Sequence, residues 1–348
     1  MNKVLLSFIG IFIITVPAFS QNEADGLVKW LDFKEAQEKN KITQKPFLID
    51  LYTDWCGWCK HMIKTTYSNP AIAEYININF YPVKFNAETK DTIFYNGKIY
   101  KPLSKEPKTL HELAVKFLGS NISYPSTVFV ANNFEYNLLT QGFLEEKKIE
   151  PILIFMLENG WRSSLFDEFN KQFTKTFYEI ASPKFVAKSR SFGEVEKLVK
   201  KKPKKVVVNL TAAFCNSCKV MEKTTFNDST ISKYLNDNFY FVNFNTESLD
   251  TVLFKNEKHY RSAINNFPLH SLAIKLSANR FSLPALCILD EELNTIEVLN
   301  YYQAPENIKP VLTFINDNFY KTKTFQEFMK TYSAQPNKIE KPVKSKKK

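Results

Sequence analysis

The chain has 348 residues, 44% hydrophobic and 15% aromatic, with 31 Phe and 16 Tyr, which excludes a disordered or fibrous chain and gives room for two globular domains. Its formal net charge of +11 is carried by the run KKKPKK at 200–205, the tail 338–348 and Lys3. These are read as a solvated loop, a disordered basic tail and a leader charge, so the electrically balanced body excludes nucleic acid as a partner.

Residues 1–20, MNKVLLSFIGIFIITVPAFS, hold one Lys, an apolar core from Val4 to Val16, and small residues at Ala18 and Ser20 before Gln21. This layout predicts a signal peptide cleaved near Ser20/Gln21, with an apolar run too short for an anchor and no following Cys for lipid attachment. No later segment has the ~18 apolar residues of a membrane span, so the mature protein is expected to be periplasmic or secreted and not membrane-spanning. A helix is predicted at 33–40, a buried strand at 47–52, a helix at 56–66, and another opened by Asn69-Pro70 and running to 78. A strand follows at 80–85, then a hairpin turn at Asn96-Gly97, and a helix at LAVKFL opened by a capping box of Thr109 and Glu112. Pro125 leads the strand STVFV, a last strand runs over 138–143, and a closing helix over 149–157. Alternating strands and helices imply an α/β fold, a central mixed sheet with helices on both faces.

The pattern is written twice. Cys56 and Cys59 recur as Cys215 and Cys218, and at the same offset KTT, NFY, Leu-His and the prolines Pro125 and Pro284 recur without a gap. A fixed-period self-match of this extent reads as two copies of one domain. The expected organisation is a signal peptide at 1–20, a first domain at 26–160, a helical extension and linker at 161–182, a second domain at 183–328 and a basic tail at 329–348.

Cysteines at i and i+3 share one face of a helix, and in its first turn their sulfurs can close a compact disulfide. At a helix N-terminus the free amides and the dipole favour the thiolate, which makes Cys56 the attacking sulfur and Cys59 the resolving one. Gly57 leaves the approach open, and Trp55 and Trp58 offer apolar surface for a substrate. A bare Cys-x-x-Cys also occurs in zinc sites and by chance. Metal carriage is weighed and set aside, since four His and no further clustered ligands leave coordination incomplete, and no cofactor is expected.

The segment FLIDLYTDWCGWCK, with SYPSTVF 66 residues after Cys59, resembles the thioredoxin superfamily, whose site reads Trp-Cys-Gly-Pro-Cys-Lys after a buried strand. It looks closest to secreted thioredoxin-like domains related to the C-terminal periplasmic domain of the thiol:disulfide interchange protein. The resemblance covers both copies and implies two tandem thioredoxin-like folds. It implies that Cys56 is the nucleophile, Cys59 the resolving cysteine and Asp50 the buried carboxylate that relays a proton. It further implies that Pro125 is the cis-proline, preceded by Tyr124, whose backbone pairs with an extended substrate, with Pro284 in that place in the second copy. The Cys56–Cys59 and Cys215–Cys218 disulfides, protein or peptide thiol and disulfide substrates, and a membrane thiol-exchange electron donor follow from it. On this reading an exposed Cys56 sulfur faces the cis bond across a shallow groove.

Two features depart from the pattern. Trp58 stands where thioredoxin has Pro, and the segment 91–108 lengthens the domain and is expected to lid the site. The second copy has Asn209 at the carboxylate position, Phe214 for the Trp, and Asn216-Ser217 between its cysteines, so slower chemistry is expected there. The resulting function is a thiol–disulfide oxidoreductase, reducing in direction given Asp50. The alternatives are an oxidase or isomerase, or a peptide-binding module with vestigial cysteines. Cys287 is read as a buried strand residue, His111 and His270 as a shared structural pair, His61 as solvated, Lys60 as either a plain surface residue or a charge that favours the thiolate, and Phe166, Phe169, Phe325 and Phe328 as core.

Overall fold

The structure, a computed structural model, describes residues 26–179, 187–264 and 267–332. The expected signal peptide and the expected basic tail from 333 onward lie outside the described residues, while 329–332, expected to open that tail, instead end a helix over Phe325–Tyr332. In the first half, α1 (Phe33–Ile42) precedes β1 (Phe47–Tyr52), α2 (Gly57–Lys64), α3 (Pro70–Asn79) and β2 (Tyr81–Asn86). A small hairpin, β3 (Ile93–Tyr95) and β4 (Lys98–Tyr100), leads to α4 (Glu112–Leu118), β5 (Ser126–Val130), β6 (Asn137–Gln141) and α5 (Glu146–Leu157). Strand order is β2-β1-β5-β6, with β1 parallel to β2, antiparallel to β5, and β5 antiparallel to β6. Because β1 is paired on both edges and covered on both faces, its first five residues are all buried, and an apolar run is what such a strand requires.

Helix α6 (Phe166–Phe177) leads to the second half: α7 (Phe192–Lys201), β7 (Val206–Thr211), α8 (Asn216–Val220) with a π turn at Met221–Thr225, α9 (Ser229–Asn238) and β8 (Tyr240–Asn245). Short pairs β9 (Val252–Phe254) with β10 (Glu257–His259), and β11 (Arg261–Ile264) with β12 (Phe267–His270), precede α10 (Ser271–Leu276). Strands β13 (Ala285–Leu289) and β14 (Thr295–Asn300) and helices α11 (Pro305–Asn316) and α12 (Phe325–Tyr332) complete it. Its sheet has the order β14-β13-β7-β8 and the same parallel and antiparallel senses. The chain is therefore mixed α/β, with two four-stranded mixed sheets flanked by helices.

Several local signals act as their chemistry dictates. Asn69 accepts from the amides of Ala71 (2.9 Å) and Ile72 (3.2 Å), with Pro70 at the first helical position, satisfying donors that a helix start leaves free. Asn96 and Gly97 both have positive φ, 45° and 76°, as the tight turn between β3 and β4 demands. The Thr109–Glu112 capping box does not form. His111 caps α4 instead, its Nδ1 accepting from the Leu113 amide at 3.2 Å, while Glu112 accepts from the Lys101 amide. The bridge of His111 with Pro102 fixes the residue before the helix starts. His270 repeats the cap with Leu272 at 3.2 Å, and the far nitrogens of the two rings meet the carbonyls of Asp91 (3.1 Å) and Asp250 (3.0 Å). Both histidines are thus structural.

Two expectations need correction. The segment 91–108 braces α1: Gln37 donates to the Phe94 carbonyl at 2.9 Å and accepts from the Asn96 amide at 2.9 Å, and Tyr95 packs edge-on against Phe33 and Phe117. The apolar Tyr95 draws the hairpin onto that core rather than over the cysteines. The run at 200–205 is not a wholly solvated loop, since Lys200 and Lys201 end α7 and Lys205 is 3% exposed. Lying directly before central strand β7, Lys205 goes into the interior, where its Nζ meets Glu291 Oε1 at 2.9 Å and Asn318 Oδ1 at 3.0 Å. Glu291→Ala strands that cation, so stability should fall by about 1–3 kcal/mol, read as a lower urea midpoint with unchanged slope. An unmoved midpoint would mean that Asn318 alone suffices.

The two halves share one hydrophobic core that runs through α5 and α6 into the second domain. Phe169 is fully buried and meets the Tyr302 ring edge-on at 5.3 Å, and Asn307 donates to the Ser163 carbonyl at 3.1 Å. Helix α6 is therefore a filled interface, which brings the end of α5 against α8.

Candidate active site

Strand β1 ends at Tyr52, a short loop follows, and Cys56 becomes the N-cap of α2, its amide donating to the Thr53 carbonyl at 3.1 Å. Cys56 and Cys59 are joined in a disulfide with Cα atoms 5.3 Å apart, and the Cys59 amide donates to Cys56 Sγ at 3.0 Å. That amide is one of the donors a helix start leaves unpaired, and it points at the atom that carries charge when the pair is reduced. The Tyr124–Pro125 peptide is cis. Trp55 ties the two loops together, its ring edge-on to Tyr124 at 6.0 Å and its Nε1 donating to Glu88 at 3.1 Å. Trp58 lies beside Phe143 (5.9 Å) and His61 (5.6 Å).

The expected exposure of Cys56 is corrected here. The residue is only 5% exposed, while Trp55 and Trp58 are 59% and 62% exposed. With its sulfur folded back into the first helical turn to bond Cys59, the residue turns little surface outward, and the indoles form the exposed rim. The exposed surface here is aromatic, with the dithiol at its floor.

Asp50 is buried in β1, and burial pushes its carboxyl up to about 7, against the lowering influence of the Lys84 charge and of hydrogen bonds from Tyr67 and Thr127. Tyr67 Oη lies 3.4 Å from Asp50 Oδ1 and 3.3 Å from Thr127 Oγ1. Lys84 stands beside Asp50 in register across the β1–β2 pairing.

In the second domain Cys215 caps α8, is disulfide-bonded to Cys218, and accepts from the Cys218 amide at 3.1 Å. Leu283–Pro284 is cis, and Leu283 packs on the cysteine pair. The polar centre behind it is gone. Asn209 donates to Asn243 at 2.7 Å, and Asn243 holds the register position of Lys84. Where the first domain sets Asp50 beside Lys84 the second has an amide pair, while Phe226 and Leu286 stand at the offset positions of Tyr67 and Thr127. Lys84 escaped the sequence reading although comparing the two copies position by position would have exposed it. Glu158 also escaped it. This residue ends α5 and accepts from the amides of Asn216 and Ser217 in the second site, and nothing local in the sequence signals that contact.

Cys287 is a buried free thiol in β13, pushed up to about 12 by burial, as a strand residue there should be. Of the four Phe expected in the core, Phe169 and Phe328 are buried, Phe166 is half-buried against it and Phe325 is exposed, and Lys60 and His61 are exposed. Among the described residues, no group of three or more His, Cys, Asp or Glu side chains is placed to hold a metal ion, and no helix is long and apolar enough to cross a membrane.

A dithiol closed at a helix N-cap, beside a cis-proline loop and after a buried central strand, defines the class of thioredoxin-fold proteins with a Cys-x-x-Cys centre, here twice over. Comparisons with known proteins agree. Residues 15–101 match the family Thioredox_DsbH, described as a protein of unknown function, DUF255, and residues 195–274 match Thioredoxin_7, described as thioredoxin-like. A thioredoxin of Borreliella burgdorferi is 34% identical over 71 residues, 20% of this chain and 60% of that protein. An uncharacterized protein of Archaeoglobus fulgidus is 27% identical over 88 residues, 25% of this chain and 68% of that protein. Among solved structures, a thioredoxin-fold protein from Helicobacter pylori is similar at 17% identity and a TM-score of 0.30, over 47% of this chain and 93% of that one. The matches in both halves support a thioredoxin-superfamily protein with two domains.

Proposed function

We propose that the protein is a periplasmic or secreted thiol–disulfide oxidoreductase that reduces protein or peptide disulfides at Cys56 and Cys59, with a slower second centre at Cys215 and Cys218. The observation that carries this reading is the Cys56–Cys59 pair at the N-cap of α2, joined through Trp55 to the cis Tyr124–Pro125 loop. In the forward sense, the Cys56 thiolate attacks one sulfur of the substrate disulfide, forming a mixed disulfide and releasing the other sulfur as a thiolate that takes up a proton. Cys59 then gives its proton to the Asp50 carboxylate and attacks Cys56 Sγ. The substrate leaves with two thiols, the two electrons having come from the enzyme, which is left as the Cys56–Cys59 disulfide. An external thiol donor, such as a membrane thiol-exchange protein, restores the dithiol. Trp55, Trp58 and the backbone at Tyr124 receive the extended substrate segment, and Pro284 marks the matching edge in the second domain.

Two measurements test the reading. A Cys59→Ser variant lacks the resolving sulfur and should accumulate mixed disulfides through Cys56, seen as dithiothreitol-sensitive adducts; a chain with vestigial cysteines, serving only to bind peptides, would accumulate none. The midpoint potential of the Cys56–Cys59 couple should lie near that of a reductant, about −270 mV, and a value near about −120 mV would make it an oxidant instead.

A further inference from the structure

The two dithiols differ in what covers them. In the first domain the residues between the cysteines face outward, Trp58 being 62% exposed. In the second domain Ser217, at the position of Trp58, is 0% exposed. The cover comes from the first domain, through the α5 and α6 packing on α8. At its centre is Glu158, whose Oε1 accepts from the Asn216 amide at 3.0 Å and whose Oε2 accepts from the Ser217 amide at 2.8 Å while lying 4.0 Å from Cys215 Sγ. Among the described residues no side chain accepts from the Gly57 or Trp58 amides, so this carboxylate sets the two sites apart.

We infer that Glu158 is an autoinhibitory residue: contributed by the first domain, it slows the second dithiol by occupying two helix-start amides beside Cys215, leaving only the Cys218 amide on its sulfur, and by setting a negative charge next to that sulfur. Both effects act in one direction. A thiolate at a helix start is favoured by unpaired N–H groups and a nearby positive charge, and Glu158 uses up two of those groups while adding a like charge within 4.0 Å. The reduced form then keeps Cys215 as a thiol, and thiols do not attack disulfides. The charged and titratable groups around the contact are Lys219 on α8, which pulls Glu158 toward its charged form, and Tyr75 on α3. Burial pushes the Glu158 carboxyl up, against the Ser217 and Asn216 amides and Lys219.

This goes beyond the proposed reaction, and its test does not need that reaction. The full chain is reduced and treated with iodoacetamide between about pH 5 and 10, and modification of Cys215 is followed by peptide mass spectrometry; thiolate displaces iodide, forming a carbon–sulfur bond. Cys56 in the same sample is the internal control. In Glu158→Gln the Cys215 profile should move down by about one pH unit, raising its rate near pH 7 about tenfold, because a removed like charge at this range is worth about that much, with Cys56 unchanged. Lys219→Met, which keeps the carboxylate and removes its neighbouring cation, should move Cys215 the other way. An unmoved Cys215 profile in Glu158→Gln overturns the inference, whatever Lys219→Met does. So does a rise equal at every pH, which would mean that coverage, not the carboxylate, slows the site.

Discussion

Replacing Cys56 with Ser should abolish disulfide reduction, lowering the insulin-reduction rate by at least about a hundredfold, to the rate of the added dithiol alone. Cys215→Ser should leave that rate within about twofold. The asymmetry follows from the surroundings of the two sulfurs. Cys56 sits at the start of α2 with an amide donating to its sulfur and an aromatic rim open to solvent, which favours both thiolate and substrate approach. Cys215 has the same local geometry, but Ser217 beside it is buried and Glu158 takes the adjoining amides. Loss of activity in Cys215→Ser with full activity in Cys56→Ser would reverse the ranking of the two centres.

Asp50→Asn should make the oxidised protein more stable at pH 8 and less active. The sign follows from linkage. With the folded carboxyl at about 7 and the unfolded one at about 3.9, the group is protonated in both states below about pH 4 and has no differential cost. Between about pH 4 and 7 the unfolded chain releases its proton and the folded chain keeps it, so stability falls by about 1.4 kcal/mol per pH unit, to a total of about 4 kcal/mol above pH 7. An amide has no proton to lose, so urea unfolding of variant and parent should agree near pH 4 and diverge as pH rises. The second domain already holds the amide pair Asn209–Asn243 at these positions, so the fold accommodates the change. The same substitution removes the proton acceptor for Cys59, and reduction should slow by about tenfold to a hundredfold. Curves that stay parallel from pH 4 to 8 would mean that Asp50 titrates as an ordinary carboxylate.

The fold was legible because its signals are local and occur twice. The unbroken apolar run at Phe47–Tyr52, the Asn69-Pro70 helix start and the Asn96-Gly97 turn each act through neighbouring backbone, and the structure has all three. The Thr109 cap failed for a tertiary reason, the bridge that fixes His111. Lys205 was misread because a run of lysines suggests solvent, whereas adjacency to β7 carries the last of them inside to Glu291.

By itself the sequence determined the duplicated α/β chassis and where each cysteine pair falls in it, since strand, turn and helix signals act over a few residues and recur at one offset. Only the tertiary structure decided which charges work on those cysteines. Lys84 reaches Asp50 by strand pairing, Trp55 joins the Cys56 loop to Tyr124 by ring packing, and Glu158 reaches Cys215 because a shared aromatic core docks α5 and α6 on α8. Electrostatic influence depends on distance through space, and residues far apart in the chain become neighbours only when the core that joins them is packed.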